Sequence, residues 1–234
     1  MTMPTTGAKI SCRAISLLSC LLLLAACAAP GPDNSVVFEQ GDCASCRVAF
    51  PEGGWQFVHE IVFHFRGGEG RFLGIVALDG ERLRCALTTL EGLTVFSAQA
   101  SRQPGGPVEV ERALPPLDKA GFAAGLLADL RLLFTAPTGS PSDSPNGLPS
   151  CGWRHGERLC RWRDADMVVD VLISQAGCWM LEAFRDGRLV RTARASSCVS
   201  RDGYALPGSI ILQAAGDADY QVTMRLISAD KTGK

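Results

Sequence analysis

The stretch FLGIVALDGERLRCALT, residues 72–88, decides the fold of this chain. Two strand-forming runs flank Asp79-Gly80, a dipeptide typical of a two-residue hairpin turn. Counting outward from this turn sets Val76 opposite Leu83. One face of the hairpin is then apolar, whereas the alternate positions of the second run hold two arginines. This pattern predicts an antiparallel sheet with one buried face and one wet face.

Strand signals of this kind recur from Gly54 to the end of the chain, and one helix signal interrupts them. Phe122, Leu126 and Leu130 lie at helical spacing, with Asp118 as the expected N-cap. Strands in runs, broken by one helix, do not follow the alternating order of a parallel α/β fold. We therefore expect a mainly β chain, an antiparallel sheet of about nine to eleven strands with one central helix.

The amino-terminal segment is typical of a secretory signal. Residues 1–26 carry Lys9 and Arg13, no acid, and then an apolar run shorter than the ~20 residues of a spanning helix. The run ends in Leu-Ala-Ala-Cys27, which resembles the lipobox of bacterial lipoproteins and implies a lipidated Cys27. Because Ala28 is not the aspartate of inner-membrane retention, we expect a lipid anchor in the outer membrane, on its periplasmic face. The alternative is an ordinary cleaved signal peptide.

The chain is thus expected to have three parts. They are a lipoprotein signal peptide at 1–26, a lipidated cysteine and tether at 27–50, and a periplasmic β-rich domain at 51–230. A Pro/Ser-rich loop at 135–150 lies within the domain. Without the signal, 21 bases face 24 acids, so the charge gives no reason to expect nucleic-acid binding.

Seven cysteines remain after the signal and Cys27 are set aside, which predicts up to three disulfides in an oxidising periplasm. A hairpin around His155-Gly156 sets Cys151 directly opposite Cys160, and we predict that these two form a bond. Cys178 falls opposite Ala195 in a later hairpin. A bond from Cys178 to Cys198 therefore needs a bulge or a curl of the chain.

Cys43 and Cys46 have the spacing of redox and metal centres. The following residues, Arg47 to Gly54, break any helix after one turn, whereas a thioredoxin-type site needs the pair at a helix start. A structural disulfide, local or to another cysteine, is therefore favoured over a thiol oxidoreductase. No second pair of this spacing exists to complete a zinc site, and we expect no metal and no cofactor.

His59 and His64 lie in a segment that briefly resembles the metalloprotease signature. Their spacing is five and the segment alternates like a strand, so the two side chains should point to opposite faces of a sheet. A metalloprotease is excluded on this ground.

The order of these segments resembles a known family. The stretches that carry the resemblance are Phe72 to Phe96, Leu114-Pro-Pro116 and Leu126 to Phe134. They look like an uncharacterised family of bacterial outer-membrane lipoproteins, a domain of unknown function, similar to the LolA/LolB lipoprotein carriers and receptors. The resemblance covers roughly residues 55–230. It implies a curved antiparallel half-barrel closed over a helix, whose concave apolar face accepts acyl chains.

This resemblance has two departures and transfers no binding residue. Seven mature cysteines are unusual for the family, and the loop at 135–150 is longer and more polar than expected. The exposed leucine loop of the LolB-type receptor has no counterpart that the sequence identifies.

We therefore expect a non-catalytic outer-membrane lipoprotein that binds or transfers an apolar lipid, acyl chain or lipid-linked molecule. Its partners would be the membrane, through the anchor, and a lipid or lipoprotein ligand. The candidate lining residues are Phe72, Val76, Leu83 and Leu87 on the hairpin and Phe122, Leu126 and Leu130 on the helix. Closed core packing is the alternative role for all seven. The alternative functions are a structural envelope protein within an assembly and a periplasmic thiol oxidoreductase.

Overall fold

The computed structural model describes residues 31–39, 43–65, 68–103, 105–137, 149–164, 166–215 and 220–232. Before the helix α1 (Phe122–Phe134) come β1 (Phe38–Glu39), a 3₁₀ helix (Ala44–Ala49), β2 (Trp55–Phe65), β3 (Gly68–Asp79), β4 (Arg82–Thr88), β5 (Thr94–Ser101) and β6 (Val108–Ala113). After α1 come β7 (Ser150–Arg154), β8 (Glu157–Asp164), β9 (Met167–Ile173), β10 (Trp179–Arg185), β11 (Arg188–Ser196), β12 (Val199–Arg201), β13 (Tyr204–Leu206), β14 (Ser209–Ala214) and β15 (Tyr220–Lys231). The predicted signal peptide, Cys27 and most of the loop at 135–150 lie outside the described residues.

Thirteen of these strands form one antiparallel sheet in the order β1-β7-β8-β9-β10-β11-β14-β15-β2-β3-β4-β5-β6. Strands β12 and β13 form a separate hairpin. The pairing of β15 with β2 joins the strands that follow the helix to those that precede it. The described residues hold fifteen strands, more than the nine to eleven predicted, in part because β1, β12 and β13 are only two or three residues long. Segments this short carry no readable periodicity.

The β3–β4 hairpin is present, with a register that differs from the predicted one. Val76 pairs with Cys85, and Leu83 pairs with Leu78. The predicted Val76–Leu83 pairing is therefore wrong by two residues, because the turn starts at Gly80 instead of Asp79. A shift of two residues leaves every side chain on its own face. The apolar face accordingly remains buried.

Helix α1 packs on the core face of the sheet, where it contacts strands β2 and β5. Its first residue, Phe122, packs edge to face on Phe96 of β5 at 5.3 Å between ring centroids, and Phe134 lies 5.1 Å from Phe57 of β2. The N-cap is Gly121, at φ 83°, and not Asp118 as predicted. Across the part of the chain that is described, no helix is long and apolar enough to cross a membrane.

Residues 43–50, which the sequence assigned to the tether, pack into the domain core. Cys46 and Phe50 are fully buried, and the Phe50 ring packs edge to face on Trp162. The domain therefore starts earlier along the chain than residue 51.

The predicted Cys151–Cys160 disulfide is wrong, although the predicted register that places these residues opposite each other is confirmed. Cys151 bonds to Cys43, and Cys160 bonds to Cys46. In a 3₁₀ helix, positions three apart lie on the same side, so Cys43 and Cys46 present two parallel thiols. These thiols meet Cys151 on β7 and Cys160 on β8, which lie side by side in the sheet. Two disulfides therefore join the 3₁₀-helix segment to the sheet, and no disulfide forms between β7 and β8.

The third disulfide joins Cys178 to Cys198, with a Cα–Cα distance of 5.4 Å. A bulge between Ala183 and Phe184 shifts the register of the β10–β11 hairpin by one residue. The bulge reduces the three-residue offset to two, and Ser197, at a positive φ of 53°, turns the chain beside Cys198.

The segment at 31–39 is fastened to the face of the sheet opposite α1. Arg161 on β8 forms a fully buried ion pair with Asp170 on β9, with two bonds of 2.6 Å. Its guanidinium also donates to the backbone oxygen of Asp33 at 2.9 Å and lies 5.1 Å from the ring of Phe38. Strand β1 then pairs with β7 at the edge of the sheet. The end of the expected tether is therefore part of the folded unit.

Candidate functional site

A cavity of about 240 Å³ lies between α1 and the core face of the sheet, and we call it the first cavity. Its walls come from α1 and from strands β2, β4, β11, β14 and β15. The apolar walls are formed by Ile61, Phe63, Leu87, Phe122, Leu126, Leu130, Leu133, Leu212, Val222 and Met224, and the polar ones by Asp129, Arg191 and Tyr220.

The structure divides the seven predicted lining residues into two groups. Leu87, Phe122, Leu126 and Leu130 line the first cavity. Val76 and Leu83 are 2% and 0% exposed and belong to the closed core, and Phe72 packs against that core while partly exposed. The alternative role of core packing therefore holds for the hairpin residues nearest the β3–β4 turn.

Sequence reasoning missed the walls that the end of the chain contributes. Val222 and Met224 on β15 line the first cavity together with Ile61 and Phe63 on β2. These strands pair directly, with Val222 opposite Phe63 and Met224 opposite Ile61, but they lie at opposite ends of the domain in sequence. Alternation shows which residues share a face of one strand, and it carries no information on which distant strand lies beside it.

Three polar side chains form a hydrogen-bonded cluster in the wall of the first cavity. Asp129 of α1 accepts a hydrogen bond from Arg191 Nε at 2.8 Å through one carboxylate oxygen, and from the Tyr220 hydroxyl through the other. The Arg191 guanidinium lies 5.5 Å from the Tyr220 ring centroid. The ring of Phe63 stacks on the ring of Tyr220, with 5.4 Å between the two centroids.

The electrostatics of this cluster keep the tyrosine protonated. Burial, together with the negative charge of Asp129, raises the pKa of Tyr220 well above its usual value. The hydroxyl therefore remains a donor to the carboxylate. For Arg191, burial opposes the charged form, but the hydrogen bond and charge of Asp129 outweigh it and raise the pKa. The cluster is thus an ion pair between Asp129 and Arg191, and the Tyr220 hydroxyl donates to the same carboxylate. Both oxygens of Asp129 are engaged, so the cluster presents no free base or nucleophile.

The cysteines in the described part of the chain are six in disulfides and one buried thiol. Cys43 and Cys46 are both bonded to cysteines of the sheet, so they do not form a closely spaced redox pair with each other. Cys85 has a free thiol, and burial raises its pKa to about 12, which disfavours the reactive thiolate. The described residues contain no group of three His, Cys, Asp or Glu side chains placed to hold a metal ion.

The two histidines of β2 lie on opposite faces, as predicted. His64 is half-exposed, 3.3 Å from Glu69, whereas His59 is 1% exposed. Burial lowers the pKa of His59 to about 4, so the ring is neutral. It packs between Phe57 and Phe134, and its Nδ1 is buried without a hydrogen-bond partner.

A second cavity, of about 350 Å³, lies on the other side of α1, between the helix and strands β8 and β9. The apolar part of its wall includes Leu132, Trp162, Met167 and Val169. Its polar part includes Arg131, whose Nε donates to the backbone oxygen of Ser101 at 2.7 Å. The two cavities lie on either side of one helix, and both have mainly apolar walls.

Comparison with known proteins identifies the fold. A LolA superfamily protein from Nitrosomonas europaea aligns with a TM-score of 0.51 at 14% identity, covering 81% of this chain and 90% of that protein. A domain named for outer-membrane lipoprotein sorting, from Vibrio parahaemolyticus, aligns with a TM-score of 0.50 at 9% identity over the same shares of the two chains. No protein-family model and no curated protein matches the sequence. The LolA-like fold expected from the sequence is therefore confirmed by structure.

Proposed function

We propose that this protein is an outer-membrane lipoprotein whose periplasmic domain, a half-barrel closed over α1, binds or transfers an apolar lipid or acyl chain without catalysis. The observation that carries the proposal is the first cavity. Ten apolar side chains surround about 240 Å³ beside a single satisfied polar cluster. Ligand pockets combine apolar walls with a few placed polar groups in this way.

Two further observations support the proposal. The fold is shared with proteins whose names refer to the LolA superfamily and to lipoprotein sorting. The amino-terminal sequence has the order of a lipoprotein signal ending at Cys27. Lipid chains on that cysteine would contribute about 0.8 kcal/mol per buried methylene, enough to anchor the domain stably.

The binding part is tested with a neutral fluorescent probe, N-phenyl-1-naphthylamine. The full chain carrying Cys27→Ala allows measurement without detergent, which would compete for the cavity. We expect saturable fluorescence enhancement, and at least about a tenfold loss of affinity in Leu126→Trp, which fills the first cavity. Leu90→Trp, at a position 63% exposed, is the matched control and should bind normally. A folded chain that shows no saturable enhancement would contradict the proposal.

The anchor is tested separately by growing cells with radiolabelled palmitate. We expect label in the wild-type protein and none in Cys27→Ala, with Cys20→Ala as the control that retains label. Label that persists without Cys27 would contradict lipidation at this residue.

A structural envelope protein remains the rival function, and the same purified protein distinguishes it. Recovery of stoichiometric protein partners from crosslinked cells, with no lipid bound by native mass spectrometry, would support the rival.

A further inference from the structure

We propose that the second cavity binds an acidic amphiphile, a single acyl chain that ends in a carboxylate, and that Arg131 holds the carboxylate. This inference deepens the proposed function and rests on it, because it assigns a headgroup chemistry to a protein proposed to bind lipids. It concerns a different cavity from the one that carries the proposed function.

The unpaired donor of Arg131 points to an anion. Arg131 uses Nε to bind the Ser101 backbone oxygen, and its Nη2 is buried without a hydrogen-bond partner. A buried donor of a charged group that makes no hydrogen bond costs more free energy than a neutral one. Burial also lowers the pKa of Arg131, consistent with a cation that has lost water without gaining a counter-charge. A carboxylate oxygen at Nη2 would supply both the acceptor and the charge.

The other arginines that line the second cavity already have acceptors. Arg102 donates to the backbone oxygens of Gly53 and Gly80 at 3.3 and 3.2 Å. Arg185 lies 3.4 Å from Asp166. Among the described arginines that line this cavity, Arg131 is therefore the one with a buried hydrogen-bond donor that has no acceptor.

The rest of the wall selects the kind of anion. Leu132, Trp162, Met167 and Val169 give the cavity an apolar side that an inorganic ion would leave unfilled. Asp164 and Asp166 also line the cavity, and their negative charges disfavour a ligand with several negative charges. A ligand with one charge at one end and an apolar chain at the other fits both features.

The volume bears on the size of the ligand. A cavity of about 350 Å³ lies at the lower end of the range of small-molecule pockets, which favours one short acyl chain over a diacyl lipid. Decanoate is therefore the probe, and 1-decanol is its uncharged match.

The test compares the two probes by isothermal titration calorimetry on the full chain carrying Cys27→Ala. We expect decanoate to bind at least about tenfold more tightly than 1-decanol. Equal affinities would overturn the role of Arg131 without need of any further variant. They would leave the proposed function standing, because binding of the neutral probe in the first cavity is measured independently.

Variants then locate the headgroup. Arg131→Met keeps the length and helix propensity of the side chain and removes its charge. We expect it to abolish the preference for decanoate while 1-decanol binds as before. Arg225→Met, a change at an exposed arginine of β15 that lies outside both cavities, should retain the preference. Leu132→Trp should block decanoate and leave the neutral probe in the first cavity. Loss of decanoate in Leu126→Trp but not in Leu132→Trp would place the ligand in the first cavity and overturn the inference.

Discussion

Arg191 on β11 donates a hydrogen bond from Nε to Oδ1 of Asp129 on α1 at 2.8 Å, across 62 residues of sequence. Asp129 is 8% exposed and Arg191 is 21% exposed, so water screens the pair only partly. Because the Tyr220 hydroxyl donates to the same carboxylate, one side chain of the helix satisfies two donors of the sheet. Asp129 thus fixes the position of α1 over the first cavity.

We expect Asp129→Ala to destabilise the fold by about 3 kcal/mol, since it leaves a partly buried guanidinium and a hydroxyl without an acceptor. The urea midpoint measures the loss. The double variant Asp129→Leu with Arg191→Leu should lose less than Asp129→Ala alone. Glu60→Ala, which removes an exposed partner 4.0 Å from Arg225, is the control and should cost under about 1 kcal/mol. A loss for Asp129→Ala no larger than this would contradict the assigned role.

His59 should make stability depend on pH in mildly acid solution. Between its ordinary pKa of 6.5 and its folded pKa of about 4, the unfolded chain binds a proton that the native chain does not. Stability therefore falls as the pH falls through this window, by about 1.4 kcal/mol per pH unit and about 3 kcal/mol in total. Urea titrations at a series of pH values should show a shallower slope for His59→Phe than for wild type. An unchanged slope in His59→Phe would refute the assignment.

The paired disulfides should contribute non-additively. Each of Cys43–Cys151 and Cys46–Cys160 closes more than 100 residues, which in the chain-entropy account stabilises by about 4.7 kcal/mol. With one bond intact, the other closes only the short ring through residues 43–46 and 151–160. Loss of Cys46 and Cys160 together should therefore cost less than half of what loss of all four cysteines costs. Guanidinium denaturation of the alanine variants measures this, and equal steps for the two losses would contradict it.

Gly125 offers a stabilising change in the wall of the first cavity. It lies inside α1, and a methyl group there would meet no atom within 4 Å. Gly125→Ala should raise stability by about 1 kcal/mol, through helix propensity. Gly74→Ala is the contrasting variant, because its methyl group would overlap the Ile61 side chain. Thermal unfolding should show a higher Tm for the first variant and a lower Tm for the second.

The local features of the fold could be predicted from the sequence. The helix from Phe122, the alternating face of β3 and β4, and the opposition of Cys151 and Cys160 all follow from spacing within one segment. Such patterns report on residues that are close in sequence, where turn geometry fixes the register. The two-residue error in the β3–β4 turn shows that even there the starting residue of the turn is ambiguous, although the buried face is not.

The candidate site could be predicted only in part, because distant strands build it. Leu126 and Leu130 were found from helical spacing, but Met224 and Tyr220 enter the site through the β15–β2 pairing. The same limit explains the disulfides. The local pattern placed Cys160 opposite Cys151 in the hairpin. It could not show that Cys43, more than 100 residues earlier in the chain, would pack on the sheet and bond to Cys151.

The docked segment at 31–39 determines how far the domain can move from an anchor. Gly31 lies against the backbone of Gly187, in the turn between β10 and β11. Three residues lie between Cys27 and Gly31, so four residue steps span at most about 14 Å. Under the proposed lipidation, the chain length keeps Gly31 within that distance of the acylated residue, so the domain stays close to the membrane surface. A lipid or a delivering partner would have to come to the membrane surface to meet it.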